Sequence, residues 1–333
     1  MSEQIQFGAT PAGFPVWAAP MAGYSDRAFR MLAREAGCSM VCTEMVHAAG
    51  LTRSIELARE LLEIAGESPP PAVQIFGADP RQIASAARMA EQAGASVIDL
   101  NFACPAPRVV SNGEGGALLR HPTQIARIVE QVRSSVTLPV TIKIRKGWDE
   151  DSVNAVEVAQ LAASLGVAAV IIHGRTCRQM FSGRADWESI ARVKAAVSIP
   201  VVGNGDVWSP DDASRLHAIS NCDAIMIGRG ALGNPQLFRQ VRSVLSTGRE
   251  LPAMSLSERA AIIRRHWQLE LEFRDEESAA RQLRKHLIWY CKGFPGASRL
   301  RTMAATVASA SAVESFLTVF AAEIASLAPT AGV

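Results

Sequence analysis

The chain repeats one pattern of hydrophobic and polar positions: a short apolar run rich in β-branched residues, a loop, and an alanine-rich amphipathic stretch. Eight apolar runs occur, at residues 16–19, 40–44, 72–76, 97–101, 140–145, 169–173, 201–204 and 224–228. Alternating strands and helices joined by short loops are typical of parallel β-α units. Eight units in about 230 residues predict a closed (β/α)8 TIM barrel. The alternative is an open doubly wound sheet, which usually has fewer strands.

The stretches between the runs carry helix spacing and helix boundary signals. Apolar residues recur at three- and four-residue intervals within 80–93, 121–134 and 153–165. One predicted helix begins with Asp79-Pro80 and ends near Gly94, a second begins at Ser152 and ends near Gly166, and a third begins with Ser209-Pro210. Asp or Ser before a first-turn proline, with glycine after the last turn, is the expected pattern of helix ends.

The pattern changes after Pro252, where helical spacing continues without any strand. Three helices are predicted, at residues 255–273, 276–290 and 300–326, with the Gly293-Phe-Pro-Gly296 turn between the last two. We therefore predict two domains. A catalytic barrel occupies residues 1–250, and a small all-helical domain occupies residues 251–333.

Composition excludes several classes of protein. The chain has 333 residues, of which 48% are hydrophobic and 20% charged, enough apolar material for a packed core and too much for a disordered chain. No run is long enough to span a bilayer, and the N-terminus lacks the pattern of a secretion signal. Six cysteines without a C-x-x-C pair do not make a disulfide framework. These features predict a reduced, soluble, cytoplasmic protein.

Charge is unevenly distributed, although the net value is only +2. Residues 239–301 hold 13 Lys and Arg against 7 Asp and Glu, whereas residues 1–238 hold 21 against 23. A concentrated basic segment can attract a polyanion. A solvated helix face explains the same charges equally well.

Polar residues at the carboxyl ends of the predicted strands mark the candidate active site, because barrel enzymes build their sites there. In the run 140–145, aliphatic residues alternate with Thr141, Lys143 and Arg145, so Lys143 is expected to point into the barrel mouth. A buried lysine needs an anionic or electron-rich partner. The alternative for Lys143 is an internal salt bridge.

Glycine-rich turns follow the last two strands. Gly228-Arg229-Gly230-Ala-Leu-Gly233 fits G-x-G-x-x-G, but it follows the last strand and lacks the acidic residue a dinucleotide fold requires. Together with Gly203-Asn-Gly-Asp206 it instead favours a phosphate site, with Arg229 as the charge partner.

Cys104 differs from the other five cysteines because it lies just past a strand end, before a loop rich in proline and glycine. A thiol there can act as nucleophile or proton donor. Cys38, Cys42, Cys177, Cys222 and Cys291 are expected to be packing residues, as are His47, His121, His217 and His266, on the surface or in the core. No metal is expected, because no second Cys or His stands at ligand spacing from Cys104.

Several motifs in the same order resemble the tRNA-dihydrouridine synthases, most closely the bacterial B-type group. They are Ala19-Pro-Met-Ala-Gly23, Val73-Gln-Ile-Phe-Gly77, Asn101-Phe-Ala-Cys-Pro105, Ile142-Lys-Ile-Arg145, Ile172-His-Gly-Arg-Thr176, Gly203-Asn-Gly-Asp206, Ile227-Gly-Arg-Gly230 and Leu283-Arg-Lys-His-Leu-Ile-Trp-Tyr290. The resemblance covers about residues 14–301. One difference is Ala103, where the family usually has glycine. An alanine fits there unless the backbone needs a positive φ.

The resemblance implies an enzyme that uses FMN and NADPH, or NADH, to reduce the C5=C6 bond of particular uridines in tRNA. FMN contacts then fall on Pro20, Met21, Ala22, Gln74, Lys143, His173, Asn204, Gly205, Asp206, Gly228 and Arg229. Cys104 becomes the proton donor to C5, and Asn101, His173 and Arg175 become candidates to hold the uracil. Arg284 and Lys285 are expected to bind the tRNA backbone. The protein is expected to be a monomer with no membrane partner.

Two alternatives stay open at this point. One is an FMN-dependent barrel oxidoreductase acting on a small molecule, such as a dihydroorotate or enoate enzyme, which has no use for a basic helical tail. The other is an RNA-binding protein on a barrel without catalysis, which Cys104 and Lys143 disfavour.

Overall fold

Eight parallel strands form one sheet in the computed structural model, which describes residues 13–53 and 62–327. The sheet order is β1-β8-β7-β6-β5-β4-β3-β2. The strands are β1 Val16–Ala18, β2 Val46–His47, β3 Ala72–Phe76, β4 Val97–Phe102, β5 Val140–Arg145, β6 Ala169–His173, β7 Val201–Asn204 and β8 Ala224–Ile227. Seven of these match the predicted runs to within one residue at an end. The prediction of a parallel barrel with eight strands is confirmed.

The second strand does not lie where the pattern predicted it. Residues 40–44 form only isolated bridges, Trp17 with Met40 and Cys42 with Ala72, and regular pairing begins at Val46. The reason is Thr43, whose side-chain oxygen accepts the hydrogen bond of the Gln74 N–H at 3.1 Å, in place of a backbone carbonyl. These bridges nevertheless join β1 to β3, so the sheet closes.

Helices cover the outside of the strands and follow the predicted order. Within the barrel part they are α1 Arg27–Glu35, α2 Ala48–Leu51, α3 Pro80–Gln92, α4 Pro107–Val110, α5 Pro122–Arg133, α6 Ala155–Ser164, α7 Trp187–Ala196, α8 Pro210–Ser220 and α9 Leu237–Thr247. Two of the predicted caps are present: Asp79 accepts from the Arg81 N–H at 2.8 Å, and Ser209 accepts from the Asp212 N–H at 3.1 Å. Capping satisfies backbone groups that the first turn leaves free.

The part after the barrel is helical, as predicted, with one correction. It contains α10 Leu256–Phe273, α11 Glu276–Tyr290, α12 Ala297–Ala305 and α13 Ala310–Leu327. The prediction of a single helix at residues 300–326 is wrong, because α12 is capped at Thr306 and α13 begins at Ala310. Ser309 causes the restart, since its hydroxyl accepts the Ala312 N–H at 3.2 Å and so begins a new helix.

The apolar residues divide into separate clusters that reflect this organisation. A large cluster lies between the strands and the barrel helices, and a second lies among α10, α11, α12 and α13 around Trp267, Tyr290 and Phe316. A small patch formed by Ala28, Leu32 and Leu269 joins α1 to α10. Among the described residues, no helix has the length and hydropathy needed to cross a membrane.

Candidate active site at the barrel mouth

A cavity of about 440 Å³ opens at the carboxyl ends of the strands. Its wall includes all the residues expected to contact a flavin, together with Asn101 and Cys104. The flavin set is Pro20, Met21, Ala22, Gln74, Lys143, His173, Asn204, Gly205, Asp206, Gly228 and Arg229. These residues come from loops and strand ends spread over more than 200 positions of sequence, and the barrel alone brings them together.

Lys143 points into this cavity from β5, and its side chain is buried. Its ammonium donates to the Asn204 carboxamide oxygen at 3.3 Å. Burial, reinforced by the nearby positive charge of Arg145, lowers the pKa of Lys143 to about 8. Among the residues that the structure describes, no carboxylate lies within ion-pair distance of Lys143. The internal salt bridge considered from the sequence is therefore absent in that part of the chain, and the cation faces the cavity with one neutral partner.

A chain of side-chain hydrogen bonds lies beneath the cavity floor. Gln74 donates to Asp99 at 2.6 Å, Thr141 donates to Asp99 at 2.6 Å, and Asn101 donates to Gln74 at 2.7 Å. Asp99 was missed by the sequence analysis, although it alternates with Asn101 along β4 and so shares its face. Burial raises the pKa of Asp99, and the two hydrogen bonds oppose that shift. The network fixes the amide of Gln74 at the cavity wall.

The turn that carries Cys104 is clamped from two sides. The Asn101 side-chain oxygen accepts the N–H groups of Ala103 and Cys104, each at 2.9 Å, and Arg145 donates to the Ala103 carbonyl at 2.8 Å. Ala103 has no positive φ, so the methyl group at this position causes no backbone strain. The thiol is thus held at a fixed place on the wall.

Cys104 is the half-buried cysteine of the chain, and the other five are buried, as expected for packing residues. Burial raises the pKa of the Cys104 thiol, and the positive charges of Arg145 and Lys143 offset part of that effect. The group is therefore protonated at neutral pH, which is the state an acid catalyst requires.

The two glycine turns meet at the cavity wall. Gly205 and Asp206 have φ of +123° and +56°, and a Cβ at Gly230 would lie 2.1 Å from the Val207 carbonyl oxygen. Only a glycine allows the two loops to approach this closely. Arg229 follows Gly228 at the cavity edge, 3.9 Å from a carboxylate oxygen of Asp206. The arrangement combines backbone turns with one partly free cation, as an anion site requires.

Arg175 and His173, both considered as uracil ligands, occupy different positions. His173 lines the cavity, and burial together with neighbouring cations holds its pKa well below the usual range, so it is neutral. Arg175 lies behind the wall, where it donates to the Ser182 and Gly183 carbonyls and to Asp206, at 2.9, 2.7 and 2.7 Å. Its place in the fold is thus to order the loop after β6.

The cavity rim carries exposed aromatic side chains that the sequence analysis did not single out. Phe181 and Trp208 are 51% and 47% exposed and flank the Arg229 guanidinium, whose carbon lies 4.5 and 5.3 Å from their ring centroids. Trp289 of α11 also lines the cavity, and the Lys292 ammonium lies 3.3 Å from the centroid of its ring. Their signal in the sequence was weak, because single aromatics outside strands have no periodicity.

Arg284 and Lys285 lie on α11, outside the cavity lining. Lys285 donates to Gln282 at 2.7 Å, and its ammonium would be 3.7 Å from a Cβ placed at Gly23. The Lys285 ammonium therefore stands beside the loop that follows β1, next to the mouth. Much of the remaining charge of residues 239–301 is paired, for example Arg265 with Glu35 at 2.7 Å.

Comparison with known proteins agrees with this geometry. The model of the family described as "Dihydrouridine synthase (Dus)" matches residues 17–325. The tRNA-dihydrouridine synthase B of Pseudomonas aeruginosa is 43% identical over 283 residues, which cover 85% of each chain. A probable tRNA-dihydrouridine synthase of Rickettsia bellii is 38% identical over 298 residues, covering 89% of this chain and 91% of its relative. Among solved structures, an old yellow enzyme homologue from Zymomonas mobilis matches with a TM-score of 0.52 and 14% identity, covering 77% of this chain and 95% of that one. That last likeness shows the fold alone.

Proposed function

The chain belongs to the dihydrouridine synthase family, and we propose that it reduces the C5=C6 bond of uridines in tRNA, using FMN and NADPH or NADH. The observation that carries the proposal is the placement of Cys104 and Lys143 on the wall of one cavity at the barrel mouth. A cytoplasmic location agrees with a tRNA substrate, and we expect the protein to act as a monomer.

The residues at the mouth fit a flavin. The Lys143 ammonium has a single neutral partner at 3.3 Å, so it can hold the electron-rich pyrimidine edge of the ring. The turns at Gly205 and Gly228, with Arg229, offer a place for the phosphate. When bound, FMN supplies the hydride that goes to C6 of the uracil, after receiving one from NADPH or NADH.

Cys104 completes the reduction by giving its proton to C5. Hydride arrival at C6 leaves an electron pair shared between C5 and O4, so a proton must reach C5 to saturate the bond. The thiol is protonated at neutral pH because burial raises its pKa, and Asn101 fixes its turn through two hydrogen bonds. The resulting thiolate lies near the positive charges of Arg145 and Lys143, which stabilise it until solvent returns the proton.

The rim suits a nucleobase that has left its stack. A uridine within folded tRNA must be extruded to reach a recessed site, and neighbouring bases then need aromatic surfaces. Phe181 and Trp208 are exposed at the rim, with Arg229 between them. We propose that the helical part, residues 251–333, holds the tRNA backbone with Arg284 and Lys285.

The contribution of α11 to the cavity argues against a small-molecule reductase. Trp289 lines the cavity from outside the barrel, and Lys292 covers its ring. An enzyme that acts on a free small molecule does not need a basic helix in its cavity wall. An enzyme that acts on a polyanion needs both the additional contact surface and the positive charge of that helix.

The test compares Cys104→Ala with Cys222→Ala, a matched control at a buried packing cysteine of the barrel. Dihydrouridine is counted by mass spectrometry in tRNA that lacks the modification, after incubation with each protein and NADPH. Cys104→Ala is expected to lose about 10²–10⁴-fold in tRNA turnover, the usual contribution of general acid catalysis. Its flavin content and its NADPH oxidation without tRNA stay at the wild-type level.

The proposal fails in two distinguishable ways. Full uridine reduction by Cys104→Ala removes the thiol from the proton-donor role but leaves the reaction. A purified wild-type protein that is colourless, ignores added FMN and leaves uridine unchanged removes the reaction itself.

A further inference from the structure

Four buried ionisable side chains gather where α10 and α11 pack against α1, away from the cavity lining. We call them the junction cluster: Asp26, His266, Glu270 and His286, with exposures of 4%, 0%, 0% and 1%. Asp26 caps α1, His266 and Glu270 stand one turn apart on α10, and His286 lies on α11. One atom each of Asp26, His266 and His286 lies within 4.8 Å of the other two.

Each imidazole turns the same nitrogen toward the cluster. His286 hydrogen bonds to the Tyr24 backbone, and its Nε2 has no hydrogen-bond partner among the described residues. His266 has its Nδ1 3.1 Å from the Tyr290 hydroxyl, and its Nε2 is likewise without a partner there. An imidazole whose Nδ1–H is held by an oxygen presents the Nε2 lone pair, as metal-binding histidines do.

Glu270 stands beside these three residues, although its carboxyl group is not among the atoms that all lie within 4.8 Å of one another. Its Oε1 lies 3.6 Å from His266 Nε2, and Arg274 approaches its Oε2 to 3.6 Å. Burial and the neighbouring Asp26 carboxylate, with which its carboxyl group shares a hydrogen bond, raise the pKa of Glu270 to about 9. Glu270 is therefore protonated at neutral pH, and the groups that indicate a ligand are the two unpartnered imidazole nitrogens.

The groups of the junction cluster that lie within 4.8 Å of one another are all hydrogen-bond acceptors. Two Nε2 lone pairs and the Asp26 carboxylate offer three acceptors, against the two protons that one water molecule can donate. A divalent cation satisfies all three. We propose that the junction cluster binds one divalent transition-metal ion of the zinc class, with both imidazoles coordinating through Nε2.

The donor set selects that class of metal. Imidazole nitrogens favour zinc and its neighbours, whereas magnesium and calcium prefer oxygen ligands alone. Three protein ligands, with a further ligand such as water in the fourth position, are a common zinc coordination. The outer partners are present as well, since the Phe29 N–H donates to Asp26 at 3.0 Å and Gln282 donates to its other oxygen.

A metal here would join the helical part to the barrel. Its ligands come from α1, α10 and α11, and the His286 ring lies 5.4 Å from the ring of Tyr24. Tyr24 and Trp289 both line the cavity, so the site would act as a positioning device for that wall. This proposal departs from the sequence-based expectation of no metal, which considered spacing around Cys104 only.

The test measures metal content in the untagged full-length flavoprotein, produced with added zinc and purified without chelators. Elemental mass spectrometry is expected to find about one zinc per chain in the wild type and less than a tenth of that in His286→Asn. Tyr290→Phe, which removes only the outer partner of His266, should weaken zinc affinity about 10–100-fold. His217→Gln, on α8, is the matched control and should keep its zinc.

Cobalt substitution gives a second readout that does not depend on any variant folding. Wild-type protein exchanged with cobalt should show the intense visible bands of a four-coordinate site, at longer wavelengths than the flavin. The proposal is overturned if wild-type protein retains neither zinc nor cobalt after supplementation, which would leave water and protons as the occupants. It is equally overturned if His266→Asn and His286→Asn bind zinc as well as the wild type, which would place the metal elsewhere.

Discussion

Replacing Lys143 is expected to have two opposite effects, because its buried charge favours ligand binding but destabilises the folded protein. We expect Lys143→Met, which keeps the length of the side chain and removes the charge, to stabilise the flavin-free protein and to weaken flavin binding. The two effects have one cause: the ammonium is buried at the barrel mouth with the Asn204 oxygen at 3.3 Å as its hydrogen-bond partner.

The size of the effect follows from the pKa. A folded-state pKa of about 8 against an ordinary 10.5 corresponds, at about 1.4 kcal/mol per pH unit, to about 3 kcal/mol by which the charged form destabilises the folded protein. Losing the bond to Asn204 costs about 1 kcal/mol in return. The variant should therefore gain about 2 kcal/mol in free energy of unfolding at pH 7.

The pH dependence has a defined sign. Between pH 8 and 10.5 the unfolded chain binds the lysine proton while the folded chain has released it, so wild-type stability rises with pH in that window. The destabilisation is fully present below pH 8 and disappears as the pH approaches 10.5. The advantage of Lys143→Met should shrink over the same range and then reverse by the value of the lost hydrogen bond.

The assay is urea denaturation of flavin-free wild type and variant at pH 7 and pH 10, with flavin affinity measured by fluorescence. Lys194→Met is the control, because Lys194 is paired with Asp223 at 2.8 Å and is not part of the cavity. A Lys143→Met protein that is less stable than wild type at pH 7, or whose difference from wild type does not change with pH, would refute the reasoning.

Three further predictions concern turnover and tRNA binding. Asn101→Ala should lower tRNA turnover per bound flavin about ten- to a hundredfold, because two hydrogen bonds of about 1 kcal/mol each hold the thiol turn; normal turnover, measured by dihydrouridine content, would contradict this role. Turnover should hold up to the ordinary thiol pKa of 9.0 and fall only above it, because burial raises the pKa of Cys104, and a decline already at neutral pH in a pH–rate profile would argue against a thiol acid. Arg284→Ala with Lys285→Ala should weaken tRNA binding and flatten its salt dependence by about one to two counterions, as followed by filter binding at several salt concentrations, whereas Arg249→Ala, an exposed arginine beyond the end of α9, should leave both unchanged.

Two predictions made from the sequence were wrong, and each error has a physical explanation. Thr43 prevents regular pairing of residues 40–44 through a side-chain hydrogen bond, which no count of apolar residues can show. Ser309 divides the last predicted helix in the same way. Both are local substitutions of a side-chain group for a backbone group, and they leave hydrophobic periodicity untouched.

The amino-acid pattern alone was enough to predict the repeating strands and helices, the helical tail, and the residues at the strand ends where Lys143 and Cys104 stand. Those features are local, because periodicity and capping act over a few neighbouring positions. Which groups share a surface depends instead on the folded arrangement of the whole chain. Trp289 reaches the barrel cavity from another part of the chain, Arg175 lies behind its wall and binds Asp206, and Asp26 meets two histidines about 240 and 260 positions distant. Contacts between residues so far apart depend on how closed layers pack, and no pattern within a single segment encodes them.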